Sequence, residues 1–177
     1  MKLPHHASDA SLLWSRPAWD APENITVTAP WAPQGEGVIP DAHRAHLFGP
    51  NVSPELAWSS LPDGTKGLLL VCQDPDTPRD GVATHLVAVL DAGIRTVDAG
   101  ALTAGTPTPG VILGRGTIKR GWAGPFPPKG HGPHRYVFQL FAVAAALGLA
   151  TGFRLRDVAD AGLPLVGRGR LIGTYKR

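Results

Sequence analysis

Apolar positions along this chain fall into short runs, several of them alternating with polar residues, and turn residues separate them. Ile25 to Ala29 alternates and predicts a half-buried strand; Glu55 to Trp58 predicts a shorter one. Leu61-Pro62-Asp63-Gly64 carries a turn signal, and a long loop is expected from Gly35 through Pro50. Leu68 to Cys72 is apolar at every position, as in a strand buried on both faces. Thr84 to Leu90 reads similarly: strict alternation sets His85, Val87 and Val89 on one face and Leu86, Ala88 and Leu90 on the other. The strongest pattern runs from Arg135 to Ala144 and places His134, Tyr136, Phe138 and Leu140 together. Leu155 to Ala161 is a short helical segment stopped by Gly162 and Pro164, and Leu171 to Tyr175 predicts a closing strand. Residues 91–123 support no assignment. Many short strands and one late helix predict a mainly β fold, a sandwich or mixed sheet with a few peripheral helices. The missing βα alternation argues against a nucleotide-binding α/β fold.

Length and composition narrow this picture only slightly. A chain of 177 residues fits one domain. Residues 1–22 show no period and read as an N-terminal arm; 23–177 read as the domain. Trp14, Pro17 and Trp19 would let that arm pack on the domain, swap to a neighbour or cover a pocket. Glycine (22) and proline (18) are abundant but dispersed, which predicts fixed turns rather than a disordered tract. The single cysteine, Cys72, excludes an intramolecular disulfide and sits within an apolar run, as a small buried hydrophobe. No secretory h-region and no membrane-length apolar run is present, so a cytoplasmic protein without stable membrane attachment is expected. A net charge of +3 without a dense basic, aromatic-interleaved stripe argues against nucleic-acid binding.

Two segments carry candidate chemistry. In Gln73-Asp74-Pro75-Asp76-Thr77-Pro78 a buried strand runs straight into two carboxylates and two prolines. Proline fixes φ and restricts the residue before it, so this turn is stiff enough to hold a carboxylate at one point. A plain turn, with each Asp bonding its own backbone, is the competing reading. Gly124-Pro125-Phe126-Pro127-Pro128-Lys129-Gly130-His131-Gly132-Pro133-His134-Arg135-Tyr136 is a crowded loop delivering His134 and Tyr136 to one face of the next strand. Its glycines leave backbone N–H groups approachable, and its imidazoles suit an anion.

The order DPDTP, then His85 opening a strand, then GPFPPKGHGPHRY resembles the phosphatidylethanolamine-binding protein family, above all its bacterial Raf-kinase-inhibitor-like branch. Ile39-Pro40, Asn51 to Trp58 and Gly173-Thr174-Tyr175-Lys176-Arg177 add to the likeness, which begins near residue 24. The resemblance implies a central antiparallel sheet packed on a second sheet, with a pocket for phosphate-like, carboxylate-like or phospholipid-headgroup anions. Carried over by position, that pocket comprises Asp74, His85, Pro127, Pro128, His134 and Tyr136, with Asp76 in the same turn and Gly124, Phe126 and His131 at the rim. Phe126 departs from the cysteine usual in bacterial relatives, and Leu163 from a histidine. A homodimer and an unidentified protein partner fit the resemblance.

Three functions compete on these residues. The first is a binding module for a small anion, modulating a partner enzyme. The second is an acid–base cyclase or isomerase using Asp74, His85 and His134, although no nucleophile motif accompanies them. The third, a metal site from Asp74, His85, His131 and His134, lacks paired ligand spacing, so no metal or cofactor is expected.

Overall fold

The computed structural model describes residues 8–47 and 49–177. In chain order its strands are β1 (Val27–Thr28), β2 (Glu36–Val38), β3 (Leu56–Trp58), β4 (Gly67–Asp74), β5 (Ala83–Asp91), β6 (Thr96–Val97), β7 (Val111–Leu113), β8 (His134–Val143) and β9 (Leu165–Tyr175). A helical turn, α1 (Arg156–Ala159), precedes β9. Six strands form a large sheet in the order β2-β9-β8-β4-β5-β7, and β1-β3-β6 form a small one. All pairings are antiparallel except β2 with β9. The fold is mainly β, as expected.

Every residue of β4, and every residue of β8 except Arg135, is buried, which is why these central strands read as nearly unbroken apolar runs. Leu68, Leu70, Cys72, Tyr136, Phe138 and Leu140 face the small sheet and form one core with its Val27, Leu56, Trp58 and Val97. Trp122 stacks on Phe138 there, with ring centroids 5.7 Å apart. The opposite face presents Leu69, Val71, Val87, Val89, Val137 and Phe141 to a second core.

That second core is closed largely by the arm. Three 3₁₀ turns, Asp9–Ser11, Leu13–Ser15 and Pro17–Trp19, lay Leu12, Leu13, Trp14 and Trp19 on the sheet. Two buried glutamines hold it: Leu13 N–H donates to Gln73 Oε1 (2.8 Å) and Trp14 N–H to Gln139 Oε1 (2.7 Å). Arg168 donates to the carbonyls of Trp14 and Trp19 and stacks 4.0 Å over the Trp14 ring. The described part of the arm therefore packs on its own domain; residues 1–7 lie outside the described residues.

Several boundaries differ from the pattern. β2 lies within the expected loop, because its pairing with β9 rests on long-range contact rather than alternation. β6 and β7 occupy the unassigned stretch. The helix is only Arg156–Ala159. β9 begins at Leu165, well before Leu171, its early half hidden by glycines. At Gly169 the Ile25 backbone lies so close that any side chain would collide with it, so tight sheet packing costs the strand its apolar signature. No helix among the described residues is long and apolar enough to cross a membrane.

Candidate functional site

The end of β4 and the starts of β5 and β8 meet at one edge of the large sheet. Along β4 the row Leu68, Leu70, Cys72 faces the inter-sheet core, and period two carries it on to Asp74. Along β8 the row Leu140, Phe138, Tyr136 ends likewise at His134. Strand geometry thus places two titratable groups side by side where the core hydrophobes stop, and they border a cavity of ≈ 420 Å³.

His85 reaches the same cavity by breaking its own strand. Cys72 pairs with Leu86 but Gln73 with Thr84, so His85 is the unpaired residue of a bulge. Thr84 bonds Gln73 on the arm side, while His85 meets Tyr136 edge-on, with centroids 5.0 Å apart. This corrects the alternation, which grouped His85 with Val87 and Val89.

The inner wall is buried: Asp74 is 4% exposed, His85 4%, His134 1% and Tyr136 0%. Asp74 accepts from His134 Nδ1–H through Oδ2 (2.8 Å) and from Asp76 N–H through Oδ1 (2.8 Å). The second nitrogen of His134 faces Nδ1 of His131 at 2.6 Å, so one proton lies between the two rings. His85 Nδ1–H donates to the Ala123 carbonyl at 2.5 Å. Burial lowers the pKa of His85; the Ala123 carbonyl and the Asp74 charge pull upward without overcoming it. Burial, followed by the Asp74 charge, raises the Tyr136 phenol, which stays protonated. Its hydroxyl lies beside the Phe126 backbone and makes no hydrogen bond of good geometry.

Of the expected residues, Asp74, His85, Phe126, Pro128, His134 and Tyr136 line the cavity together. The others stand behind it. Asp76 turns to Arg135, accepting from its backbone N–H (2.8 Å), Nε (2.9 Å) and a terminal guanidinium nitrogen (2.7 Å). Burial pushes the Asp76 carboxyl up, but these contacts outweigh it and its pKa falls below the ordinary 3.8. Gly124 donates to Asn51 Oδ1 (2.8 Å), Pro127 is buried, and His131 meets His134.

Pattern reading placed Phe126 at the rim but missed its other residues. Arg79, Lys129, Arg177 and Ile118 line it, with Arg79, Lys129 and Ile118 exposed. Arg79 and Lys129 each directly follow a proline of the two rigid turns, a signal present in the sequence; Arg177 stood in the matching C-terminal segment without a pocket role. Asn51 was noted without a role. It sits at φ 54°, in the left-handed region, and its side chain bonds both Trp122 O (3.3 Å) and Gly124 N–H, fixing the segment whose Ala123 carbonyl orients His85.

Chemically, imidazoles, a phenol and peripheral cations suit an anion. Cys72 is fully buried and its thiol is pushed well up by burial, so it offers no nucleophile. No cluster of three metal-ligating side chains occurs among the described residues. A cavity of ≈ 470 Å³ beside the small sheet is larger. Its carboxylates, Glu55 and Asp98, are exposed and no buried titratable group faces it, which leaves the smaller cavity as the candidate site.

Comparison with known proteins agrees. A UPF0098 protein of Aquifex aeolicus is 37% identical over 133 residues, spanning 73% of this chain and 77% of its own. The phosphatidylethanolamine-binding protein homolog CT736 of Chlamydia trachomatis superposes with a TM-score of 0.73 at 26% identity, covering 86% of this chain and 97% of that one. YbcL of E. coli, a member of the mammalian PEBP family, shares the fold with a TM-score of 0.76 at 24% identity, over 86% and 98% of the two chains. The phosphatidylethanolamine-binding protein signature itself matches residues 30–176, a span that contains both rigid turns, the bulged His85 and every cavity-lining residue except Arg177. The chain belongs to the phosphatidylethanolamine-binding protein family.

Proposed function

We propose that the cavity binds a small anion, phosphate- or carboxylate-like, free or as a phospholipid headgroup. The observation that carries this reading is the convergence of buried Asp74, His85, His134 and Tyr136 on one cavity with cations at its mouth. Asp74 does not repel the ligand outright, because its oxygens are already occupied by His134 and the Asp76 amide. Its charge opposes the burial that keeps His85 neutral, without overcoming it. The Tyr136 hydroxyl supplies a donor that has no other acceptor of good geometry.

Calorimetric titration with phosphate and acetate tests this. The expected result is saturable binding by the wild type, weakened about tenfold or more in His134→Ala and in Asp74→Ala, equivalent to about 1.4 kcal/mol. Binding that is absent from the wild type, or indifferent to both substitutions, would overturn the proposal.

The Asp74–His134–His131 hydrogen-bond chain favours a second reading, proton transfer to a bound small molecule in a cyclase or isomerase. Deuterium exchange from solvent into carbon positions of a bound ligand, followed by NMR, would support it. Unexchanged ligand would leave binding alone.

A further inference from the structure

Resting on the anion-pocket reading, we infer that the mouth is a second recognition point and that the ligand carries a negative group at each of two ends. Charge is segregated along the cavity. Asp74 is the one side-chain carboxylate among the lining residues, and it lies at the buried end with its oxygens taken by His134 and Asp76. Nothing of that kind is left to receive an ammonium group. The outer end is cationic: Arg79 and Lys129 are exposed there, and the Arg177 guanidinium stacks 4.0 Å over the ring of Phe126, itself 40% exposed.

These cations come from independent parts of the fold, namely the turn after β4, the loop before β8 and the chain beyond β9. An anion at this opening meets three positive side chains at once. The Phe126 stack holds one of them flat against the rim, so little freedom remains to be lost on binding. Phosphoethanolamine, seated with its phosphate between His85 and His134, would direct its ammonium at Arg79, Lys129 and Arg177. A second phosphate or carboxylate in that place meets complementary charge. The mouth therefore selects between ligands that the buried end treats alike.

The test is titration of the full chain with ethyl phosphate, phosphoethanolamine and the terminal bisphosphates of ethanediol, butanediol and hexanediol, at low and high salt. The best bisphosphate is expected to bind about tenfold tighter than ethyl phosphate, with phosphoethanolamine weakest, and salt should shrink the gain because the mouth is exposed. Combining Arg79→Gln, Lys129→Gln and Arg177→Gln should collapse the ratio of bisphosphate to ethyl phosphate affinity toward one. Removing equal charge elsewhere, through Arg16→Gln, Lys66→Gln and Arg156→Gln, should preserve it; all three positions are exposed and outside the cavity lining. A wild-type ratio near one, a phosphoethanolamine preference, or collapse in the remote variant would overturn the mouth subsite while leaving the anion pocket intact. Failure of every compound to bind would instead overturn the pocket, and the mouth with it.

Discussion

At one end of the large sheet, both faces carry buried polar side chains from the same three strands, and they are satisfied in opposite ways. On the arm side Gln73 accepts from Leu13 N–H and from Gln139 Nε2 (3.0 Å), and bonds Thr84 (3.3 Å); Gln139 accepts from Trp14 N–H. The arm lies directly over this network. On the other side Asp74, His85, His134 and Tyr136 border a cavity, and the Tyr136 hydroxyl lacks a partner. Burial of polar groups alone therefore does not mark a site. What marks it is a partner set that stays open toward space where a ligand fits.

If the arm side is structural, the largest effect should come from Trp19→Ala. The ring packs edge-on to Phe141 (4.9 Å) and donates to the Ala159 carbonyl (2.8 Å). Truncation should cost about 3–5 kcal/mol in chemical denaturation and change anion affinity of the folded protein by less than about threefold. A large affinity loss in folded protein would break the distinction between the faces.

The next effect belongs to the cavity and to pH. His85 is held below its ordinary value of 6.5 by burial, so the empty protein carries it neutral at pH 7. A bound anion favours the imidazolium, so binding takes up a proton. Affinity should be greatest below the lowered value and fall as pH rises, by at most about tenfold per unit, until the bound form also loses its proton. Sulfate, whose charge is constant over this range, is the probe. Flat affinity between about pH 5.5 and 8.5 would remove His85 from the mechanism.

Asp76, on the same rigid turn as Asp74, sharpens the comparison. Its lowered pKa means its contribution is fully present above the ordinary 3.8 and is lost as pH falls through the folded value. Asp76→Asn should cost about 1–2 kcal/mol at neutral pH, with the two denaturation midpoints converging in acid. Parallel midpoints down to the acid limit would show that the Arg135 pairing adds nothing.

Smaller still, Tyr136→Phe removes a hydroxyl without a partner and should leave stability unchanged or raised by up to about 1 kcal/mol. Sulfate affinity should fall about threefold in the same variant. A stability loss would mean the hydroxyl is satisfied internally. Smallest of all is Asp9→Ala, which severs a 2.8 Å ion pair with Arg135 whose Asp9 side chain is 55% exposed. Such exposed pairs contribute about 0.5 kcal/mol, so the arm should stay docked on its glutamines by tryptophan fluorescence.

Much of this was legible from residue order. β4, β5 and β8 announce themselves as apolar runs because both faces of the sheet are covered, and the stiff turns DPDTP and GPFPPKGHGPHRY mark where those strands end. Asp74 and His134 follow from period two alone, and Cys72 is the buried hydrophobe its run suggests. His85 was assigned to the wrong face, because alternation has no way to register a bulge. Asp76 was read as sharing the turn with Asp74, and the residue pattern gave it no separate role. The difference is Arg135, which lies 59 positions away in the chain and captures it.

By itself, the sequence determined the mainly β class, the central strands and the two rigid turns, since each is set by local pattern or by proline and glycine geometry. Tertiary structure alone decided that the arm covers the far face, that β2 pairs in parallel with β9, that His85 swings beside Tyr136, and that Arg79, Lys129 and Arg177 surround one opening. Those outcomes depend on contacts between distant segments competing for the same space and hydrogen bonds, and no local period encodes that competition.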